Sequence, residues 1–438
     1  MCEKFVYTIS CNDPNDEQGH GTILNDTLFN VLLNHKNIID KFGANKDWDM
    51  FKKQTNLYEL VFTTESPSIA SINPFSRSFF KHWEMLHDFE SELAFPKAPI
   101  KCAFLAEGPG GFIEAFVKYR AANASNASNA SNASNASNAS NASNASNASS
   151  SSTNAPKTSK TSKTQKTSKG SQDTLYGVTL ISSNRIVPSW KFSREYLDTH
   201  NLKLLYGPAG DGSLYKMINI DDFIKEIGQG QCDYVTSDGG FDFSNSFYDQ
   251  EASSLLLITC EIYTAMMLQK PGGAFLLKIY DIGMDQTKQL LYILFMAYDS
   301  ITFVKPHTSR PANSEKYVLC RGFKGSQHME NLRNAIIQNK DNTVIDLDLI
   351  DYTSEFSESL AMFNVVFVVK QIVHINMTAT QHNENVAAAN VAATNAESNK
   401  NNKHSLVRSQ LQHAVRWCHK YHIPINMENF HHLCLKQT

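Results

Sequence analysis

The chain has 438 residues, 42% of them hydrophobic and 11% aromatic, which is ample material for a sizeable core and excludes a wholly disordered protein. Forty basic and 43 acidic side chains leave a formal net charge of −3, which excludes a global polycation, so any nucleic-acid site must be a local basic groove. The eight cysteines form no CxxC pair, which argues against a zinc ribbon or a disulfide framework and fits a reducing compartment.

The opening segment MCEKFVYTISCNDPND lacks the apolar run of a signal peptide, and no run of 18 apolar residues is present. The expectation is a soluble, intracellular chain without membrane contact. Residues 1–70 read as an N-terminal extension, 71–330 as the main domain and 331–438 as a mostly helical C-terminal extension. The first strand of the main domain is CAFLAE (Cys102–Glu107), ended by a Gly-Pro-Gly-Gly turn and followed by a helix over Phe112–Arg120. Residues 121–171 read as a low-complexity insert. Asn-Ala-Ser triplets run from Asn123 to Ser149, then Ser- and Thr-rich sequence follows, and nothing there can bury apolar surface, so disorder is expected. Each triplet is formally an N-glycosylation acceptor, a weak signal without a secretory leader. Lys157, Lys160, Lys163, Lys166 and Lys169 recur every third residue; they read as a solvated tail, with a sequence-blind contact to RNA phosphate as the alternative.

Further runs follow at Leu175–Ile181, Leu202–Gly207 and Cys232–Asp238, then a helix over Glu251–Leu268, a strand over Gly273–Tyr280 and a helix over Gln286–Tyr298. SITFVKP and KYVLCRGF lie close together and suggest an antiparallel hairpin at one edge. Strands alternating with helices argue for a Rossmann-like α/β fold with a mainly parallel sheet. A second Asn/Ala-rich stretch, residues 378–403, reads as another loop.

The segment AEGPGGFIEAF (Ala106–Phe116) ends a strand and opens a helix, where glycines let the backbone approach a ligand and where open α/β sheets bind one. Neither GxGxxG nor GxxxxGK[ST] is present, which removes support from dinucleotide and P-loop readings. Asp238 ends its strand in TSDGGFDF. Lys278 sits within FLLKIYD, where a charge among Leu and Ile is costly unless partnered. Glu315 precedes a strand in SRPANSEKYVLC. Singly, each has a bland reading: a tight turn, a snorkelling lysine, a solvated carboxylate.

In combination, GPGG, DGGF, FLLK and SRPANSE, in that order, resemble the FtsJ-like family of RNA ribose 2′-O-methyltransferases, and SRPANSEKYVLCRG with the preceding KPHTSRP resembles its mRNA-cap branch. The resemblance covers roughly Asn73 to Lys324, interrupted by the insert. It implies S-adenosylmethionine as methyl donor, contacted around Glu107, Gly108, Pro109, Gly110, Gly111, Phe112 and Asp238, with Asp211 in YGPAGDG near the adenine. It also implies a Lys-Asp-Lys-Glu tetrad, falling on Asp238, Lys278 and Glu315. The first lysine should stand four residues after an arginine, and NPFSRSFFKHWEML supplies Lys81 after Arg77. One departure is Phe104, where many members carry an acid five residues before the proline of the turn; Glu107 is positioned to play a related part.

Methyl transfer to an alcohol is an in-line displacement that needs an aligned, desolvated oxygen and a destination for its proton. Lys278 is expected to steer the hydroxyl and then accept that proton, although Lys81 would lower its pKa while Asp238 and Glu315 would raise it. No metal is needed. The C-terminal WCHKYHIPINMENFHHLC has Cys418, His419, His422, His431, His432 and Cys434 at spacings unlike a zinc finger, so a helix packed on the core is the preferred reading. The implied substrate is the 5′ end of capped mRNA, with the first or second transcribed ribose as target and other capping or transcription proteins as partners. Trp83, Trp190 and Phe241 are stacking candidates, each better explained by core packing. The alternatives are a ribosomal or transfer RNA ribose methyltransferase, or a catalytically idle RNA-binding or polymerase-associated subunit that keeps the fold. The triplet expansions resemble proteins of large cytoplasmic DNA viruses, implying host cytoplasm or the virion as location.

Overall fold

The computed structural model describes residues 5–10, 23–41, 46–64, 67–124, 172–184, 186–241, 247–339, 352–390 and 396–435. The triplet run beyond Ala124 and the five periodic lysines lie outside the described residues.

The described strands form one eight-stranded sheet. They are β1 (Phe5–Ser10), β2 (Lys101–Leu105), β3 (Thr174–Val178), β4 (Leu202–Leu205), β5 (Cys232–Ser237), β6 (Gln269–Ile279), β7 (Tyr298–Lys305) and β8 (Lys316–Phe323), in the spatial order β1-β7-β8-β6-β5-β2-β3-β4. From β4 to β6 the neighbours run parallel. β2, β3 and β5 are buried nearly throughout, as expected of strands covered by helices on both faces. β8 is antiparallel to both β6 and β7, which is the predicted hairpin. Because β3 and β4 lie on one side of β2 while β5 and β6 lie on the other, the chain reverses direction across the sheet between β2 and β5. The carboxyl ends of those two strands therefore frame a crevice, the usual ligand position in open α/β sheets.

Helices cover both faces. On one side α7 (Met217–Ile227), α8 (Gln250–Leu268), α9 (Asp285–Ala297), α10 (Met329–Gln338) and the long α11 (Ser354–Asn390) build a core that includes Phe223, Ile262, Leu294, Phe356 and Phe363. On the other, α3 (Ser78–Asp88), the helix α5 over 111–124, α12 (Ala396–Lys420) and α13 (Met427–Leu435) close around Phe80, Trp83, Phe116, Trp417 and Tyr421. The Cys/His-rich C-terminal segment thus packs on the core as the end of α12, a short non-helical stretch and α13. Among the described residues no group of three or more His, Cys, Asp or Glu side chains is arranged to hold a metal.

The structure corrects or extends the sequence reading at three points. The N-terminal extension supplies β1, which extends the sheet antiparallel to β7 from Phe5↔Lys305 to Ser10↔Ser300; six residues of FVYTIS are too short for alternation alone to flag. Residues 378–390 continue α11 and 396–403 belong to α12, rather than forming a loop. Alanine is the strongest helix former, and tertiary contact fixes the middle of that helix. Thr378 is fully buried with its hydroxyl 2.9 Å from that of Thr55, and His382 meets Phe51 edge-on at 5.1 Å. Finally, α8 and residues 354–383 of α11 reach the length and mean hydropathy of a membrane-spanning helix without an unbroken apolar run, and α8 is mostly buried in the protein.

The N-terminal extension is tied in by charge. Lys36, on α1 (Ile23–Lys41), forms a buried ion pair with Asp281 just beyond β6 and also donates to the Phe247 carbonyl at 3.2 Å. Burial works against the Asp281 anion, but Lys36 and Lys316 hold its pKa below the usual range. Asp281→Ala would strand two buried ammonium groups and is expected to cost about 3–5 kcal/mol in urea unfolding. Pairing Asp281→Leu with Lys36→Met should recover most of that loss.

Candidate active site

The predicted residues come from six separate segments, most of them around the crevice between β2 and β5. At the end of β2, Glu107 N donates to the Val178 carbonyl (3.3 Å) and Gly110 N to the Glu107 carbonyl (2.7 Å), which forms the turn. Gly110 has φ +114°, a conformation open to glycine. Gly111 is required by packing: a Cβ there would stand 2.3 Å from Ser76 Oγ and 2.9 Å from Phe79 N. Gly108 and Pro109 are held by the same neighbourhood, since Gly108 N donates to Thr179 Oγ1 (3.1 Å) and Lys191 N to the Pro109 carbonyl (3.2 Å). Phe112 turns into the core, stacked on His82 at 4.4 Å.

Glu107 is buried. Its Oε1 accepts from Thr236 Oγ1 at 2.5 Å, while Oε2 has no hydrogen-bond partner. Burial, and then the neighbouring Asp238, push its pKa well up. Asp211, beyond β4, holds its own turn, accepting from Ser213 N (3.1 Å) and Asn219 Nδ2 (2.9 Å) and pairing with Lys216 (2.6 Å).

The tetrad residues form two ion pairs. Lys81, on α3, contacts both carboxylate oxygens of Glu315 at 2.7 and 2.8 Å. Lys278, near the end of β6, lies 3.1 Å from Asp238 Oδ1 and donates to the Asp238 carbonyl at 2.7 Å. Register links the pairs: Lys278 stands opposite Tyr317 on β8, two residues beyond Glu315, and the Tyr317 hydroxyl donates to Asp238 Oδ1 at 2.9 Å. Glu315 also accepts from Ser309 Oγ at 2.9 Å, and its backbone carbonyl takes Lys305 Nζ at 2.6 Å.

The charges decide the protonation states. Burial alone would lower the Lys278 pKa, but Asp238, Tyr280 and Glu315 outweigh it and hold the group above the ordinary lysine value, so it is a cation at neutral pH. Burial would raise Glu315, yet Lys81, Lys278 and Lys305 hold it far below the usual carboxylate range. Lys305 itself is lowered to about 7, chiefly by burial. Carboxylates outnumber the lysine that would have opposed them, so the balance of charge favours the ammonium form of Lys278.

Several site groups were missed in the sequence. Tyr280 lies two residues after Lys278, and Tyr317 two after Glu315, so strand periodicity alone could have placed each on the same face as its partner. Glu261 is a buried acid in the otherwise apolar LLLITCEIYTAMML of α8; its Oε1 lacks a partner, and a Cβ on Gly239 would meet that atom at 2.2 Å. Of the stacking candidates, Trp83 is core, stacked on Phe79 at 5.6 Å, Trp190 packs on Phe192 at 5.5 Å, and Phe241 is 41% exposed.

A model of the FtsJ-like methyltransferase family matches residues 75–323, the span that contains the turn and both ion pairs. The chain belongs to the FtsJ-like methyltransferases. It is 32% identical over 180 residues to cap-specific mRNA (nucleoside-2′-O-)-methyltransferase 1 of Danio rerio, covering 38% of this chain and 22% of that one. The corresponding protein of Trypanosoma brucei brucei is 29% identical over 175 residues, covering 38% and 47%. A protein of Caenorhabditis briggsae named an inactive cap-specific mRNA (nucleoside-2′-O-)-methyltransferase 1B is 28% identical over 187 residues, covering 39% and 22%. The chain therefore spans less than half the length of these relatives.

FtsJ-like methyltransferases use S-adenosylmethionine. Glu107 Oε2, at the end of β2 beside the glycine turn, is a buried side-chain oxygen without a protein hydrogen-bond partner, which fits a hydrogen-bonding group of the cofactor there. Glu107, Asp211 and Asp238 are the residues that would hold it, and the glycine turn lets the backbone come close.

Glu261 also yields a pH dependence. Burial raises its pKa from 4.5 to about 8, so between these values the unfolded chain is ionised while the folded one keeps the proton. Stability from this group is present below about 4.5 and is lost as pH rises toward 8. Urea unfolding at pH 5 and pH 8 should show Glu261→Gln gaining on wild type, by on the order of a few kcal/mol at the higher pH. An equal effect at both values would mean that the carboxyl is not held protonated.

Proposed function

We propose that the protein transfers a methyl group from S-adenosylmethionine to a ribose 2′-hydroxyl of RNA, with the first or second transcribed nucleotide of capped mRNA as target. The observation that carries this reading is the convergence of the Lys81–Glu315 and Lys278–Asp238 pairs beside the glycine turn. The names of the relatives favour the capped substrate. The KPHTSRPANSE segment, which bears Ser309 and Glu315, supports the same choice. An intracellular site of action, with other capping or transcription proteins alongside, goes with that substrate.

When bound, S-adenosylmethionine supplies an electrophilic methyl on a sulfonium centre. The protein's task is alignment and charge control. Lys278, kept cationic by its carboxylate neighbours, offers N–H donors to the ribose oxygen and fixes its lone pair in line. Asp238, anchored by Tyr317, holds Lys278 in one rotamer, and Lys81 fixes Glu315 across from it. The hydroxyl proton leaves late. As the O–C bond forms at the expense of the methyl–sulfur bond, whose electron pair stays with sulfur, the ribose oxygen gains positive charge and its proton becomes strongly acidic, so water or a site carboxylate can take it. No deprotonated lysine is required beforehand.

The idle-subunit reading has one observation in its favour, the relative named inactive. Labelled methyl transfer to short capped and uncapped RNAs separates the two. Wild type should label capped RNA, and Lys278→Ala should lose about 10²–10³-fold in kcat with its S-adenosylmethionine affinity nearly unchanged. Cofactor binding without transfer to any RNA would favour the idle subunit. Because Lys278 stays charged, kcat should also show no rise near pH 7 that Lys278→Arg removes.

A further inference from the structure

The segment that carries Ser309 and Glu315 is held from beneath by a carboxylate absent from the tetrad. Glu84 lies on α3, one helical turn beyond Lys81, and is fully buried. Its Oε1 accepts from His307 N at 2.8 Å, and its Oε2 accepts from Thr308 N at 3.2 Å and Thr308 Oγ1 at 3.1 Å. The same Oε2 takes a further hydrogen bond, at 3.1 Å, from Trp417 Nε1 on α12. Hydrogen bonds to an ionised acceptor are roughly twice as strong as neutral ones, and a buried carboxylate needs several donors to remain charged.

Both ends of the chain brace this arrangement. Trp417 is 2% exposed, packs at a tilt against Tyr421 at 4.7 Å and meets Phe80, immediately before Lys81 in the sequence, edge-on at 5.7 Å. The Tyr421 carbonyl accepts from Trp83 Nε1 at 2.9 Å, which fastens α12 to α3. From the other side, Tyr58 stacks on His307 at 4.6 Å and is met edge-on by His413 of α12 at 5.3 Å. Arg77 reaches the Thr308 carbonyl at 3.1 Å, and Arg310 pairs with Glu59 at 2.7 Å. The loop from 306 to 310 is thus fixed through its backbone amides, and it delivers Ser309 Oγ to Glu315 at 2.9 Å.

We propose that Glu84 and Trp417 form a clamp in which the C-terminal extension, through the indole N–H, holds Glu84 against the loop and so sets the alignment of Ser309, Glu315 and Lys81. Both are positioning residues, and the kinetic part of the claim rests on the methyl-transfer reading above. α3 then carries two anchors onto one loop: Lys81 to the Glu315 side chain and Glu84 to the backbone two to three residues ahead of Arg310.

The test uses the full chain, with Trp417→Phe, which keeps the apolar ring and removes the donor, and with Glu84→Gln, which turns one acceptor into a donor facing N–H groups. Backbone hydrogen exchange is followed on the peptides containing His307 and Thr308. Trp417→Phe should accelerate exchange there roughly three- to tenfold, and Glu84→Gln about ten- to a hundredfold, with α7 and α10 unchanged. Unchanged protection at 307–308 in Trp417→Phe would overturn the clamp. This comparison needs no catalysis, so it decides the clamp even if wild type methylates no RNA, a result that would count only against the proposed function.

With an active wild type, Trp417→Phe should lower kcat roughly three- to tenfold while leaving KM for S-adenosylmethionine in place, and it should add no further loss in a Glu84→Gln background. Thr308→Val, which deletes only a hydroxyl donor to Oε2, should give an intermediate loss. An equal fold-loss from Trp417→Phe in both backgrounds, or loosened exchange with unchanged kcat, would mean that the tryptophan merely packs, and would overturn the positioning role.

Discussion

A lysine ammonium buried at the end of a sheet strand is the constraint on which the rest of the site depends. In a low-dielectric setting an unpaired Lys278 would lose its proton or unfold its surroundings. Asp238, Tyr280 and Glu315 make the charged state the stable one. Each of those groups then needs a neighbour of its own. Glu315 is answered by Lys81 from α3, and Asp238 by Tyr317 from β8. The requirement spreads outward from one cation until it includes α3, the β6–β8 register and the loop between β7 and β8.

That outward spread explains why extensions at both termini are built into the core. β1 extends the sheet beside β7, α1 neutralises Asp281 just past the β6 end, and α12 supports Glu84 under the loop. The polar groups are held by backbone donors and buried partners, so alignment is set before any substrate arrives. Preorganisation of this kind is the main way a protein assists a displacement that has little covalent chemistry of its own. In the proposed reaction this charge balance gives a cationic Lys278 the task of orienting the ribose oxygen, with the proton departing after bond-making has begun.

The central strands, the glycine turn and the β7–β8 hairpin were legible in the sequence because apolar runs closed by glycine and proline have few alternatives, although β1 rather than the hairpin forms the sheet edge. Asp238, Lys278 and Glu315 were legible because polar residues at strand ends are costly without a purpose, and their order matches a family pattern. Lys81 was found by its spacing from Arg77, and it does meet Glu315. What the sequence hid was tertiary. FVYTIS becomes a strand only because β7 offers a free edge. Residues 378–390 are helical partly because Thr55 and Phe51 receive them. The protonation of Lys278 depends on which charges fold around it, and Glu84 and Trp417, 333 residues apart, share no local signal.

In the proposed reaction this site presents a ribose 2′-oxygen of a capped RNA to the methyl donor. The most direct measurement compares methyl transfer to capped RNAs that differ only by a 2′-deoxy sugar at the first or the second transcribed nucleotide. One of the two replacements should abolish transfer while the other leaves it nearly intact, with the label mapping to the matching ribose in the unmodified RNA. Undiminished transfer to both deoxy substrates, or label on a base, would contradict it.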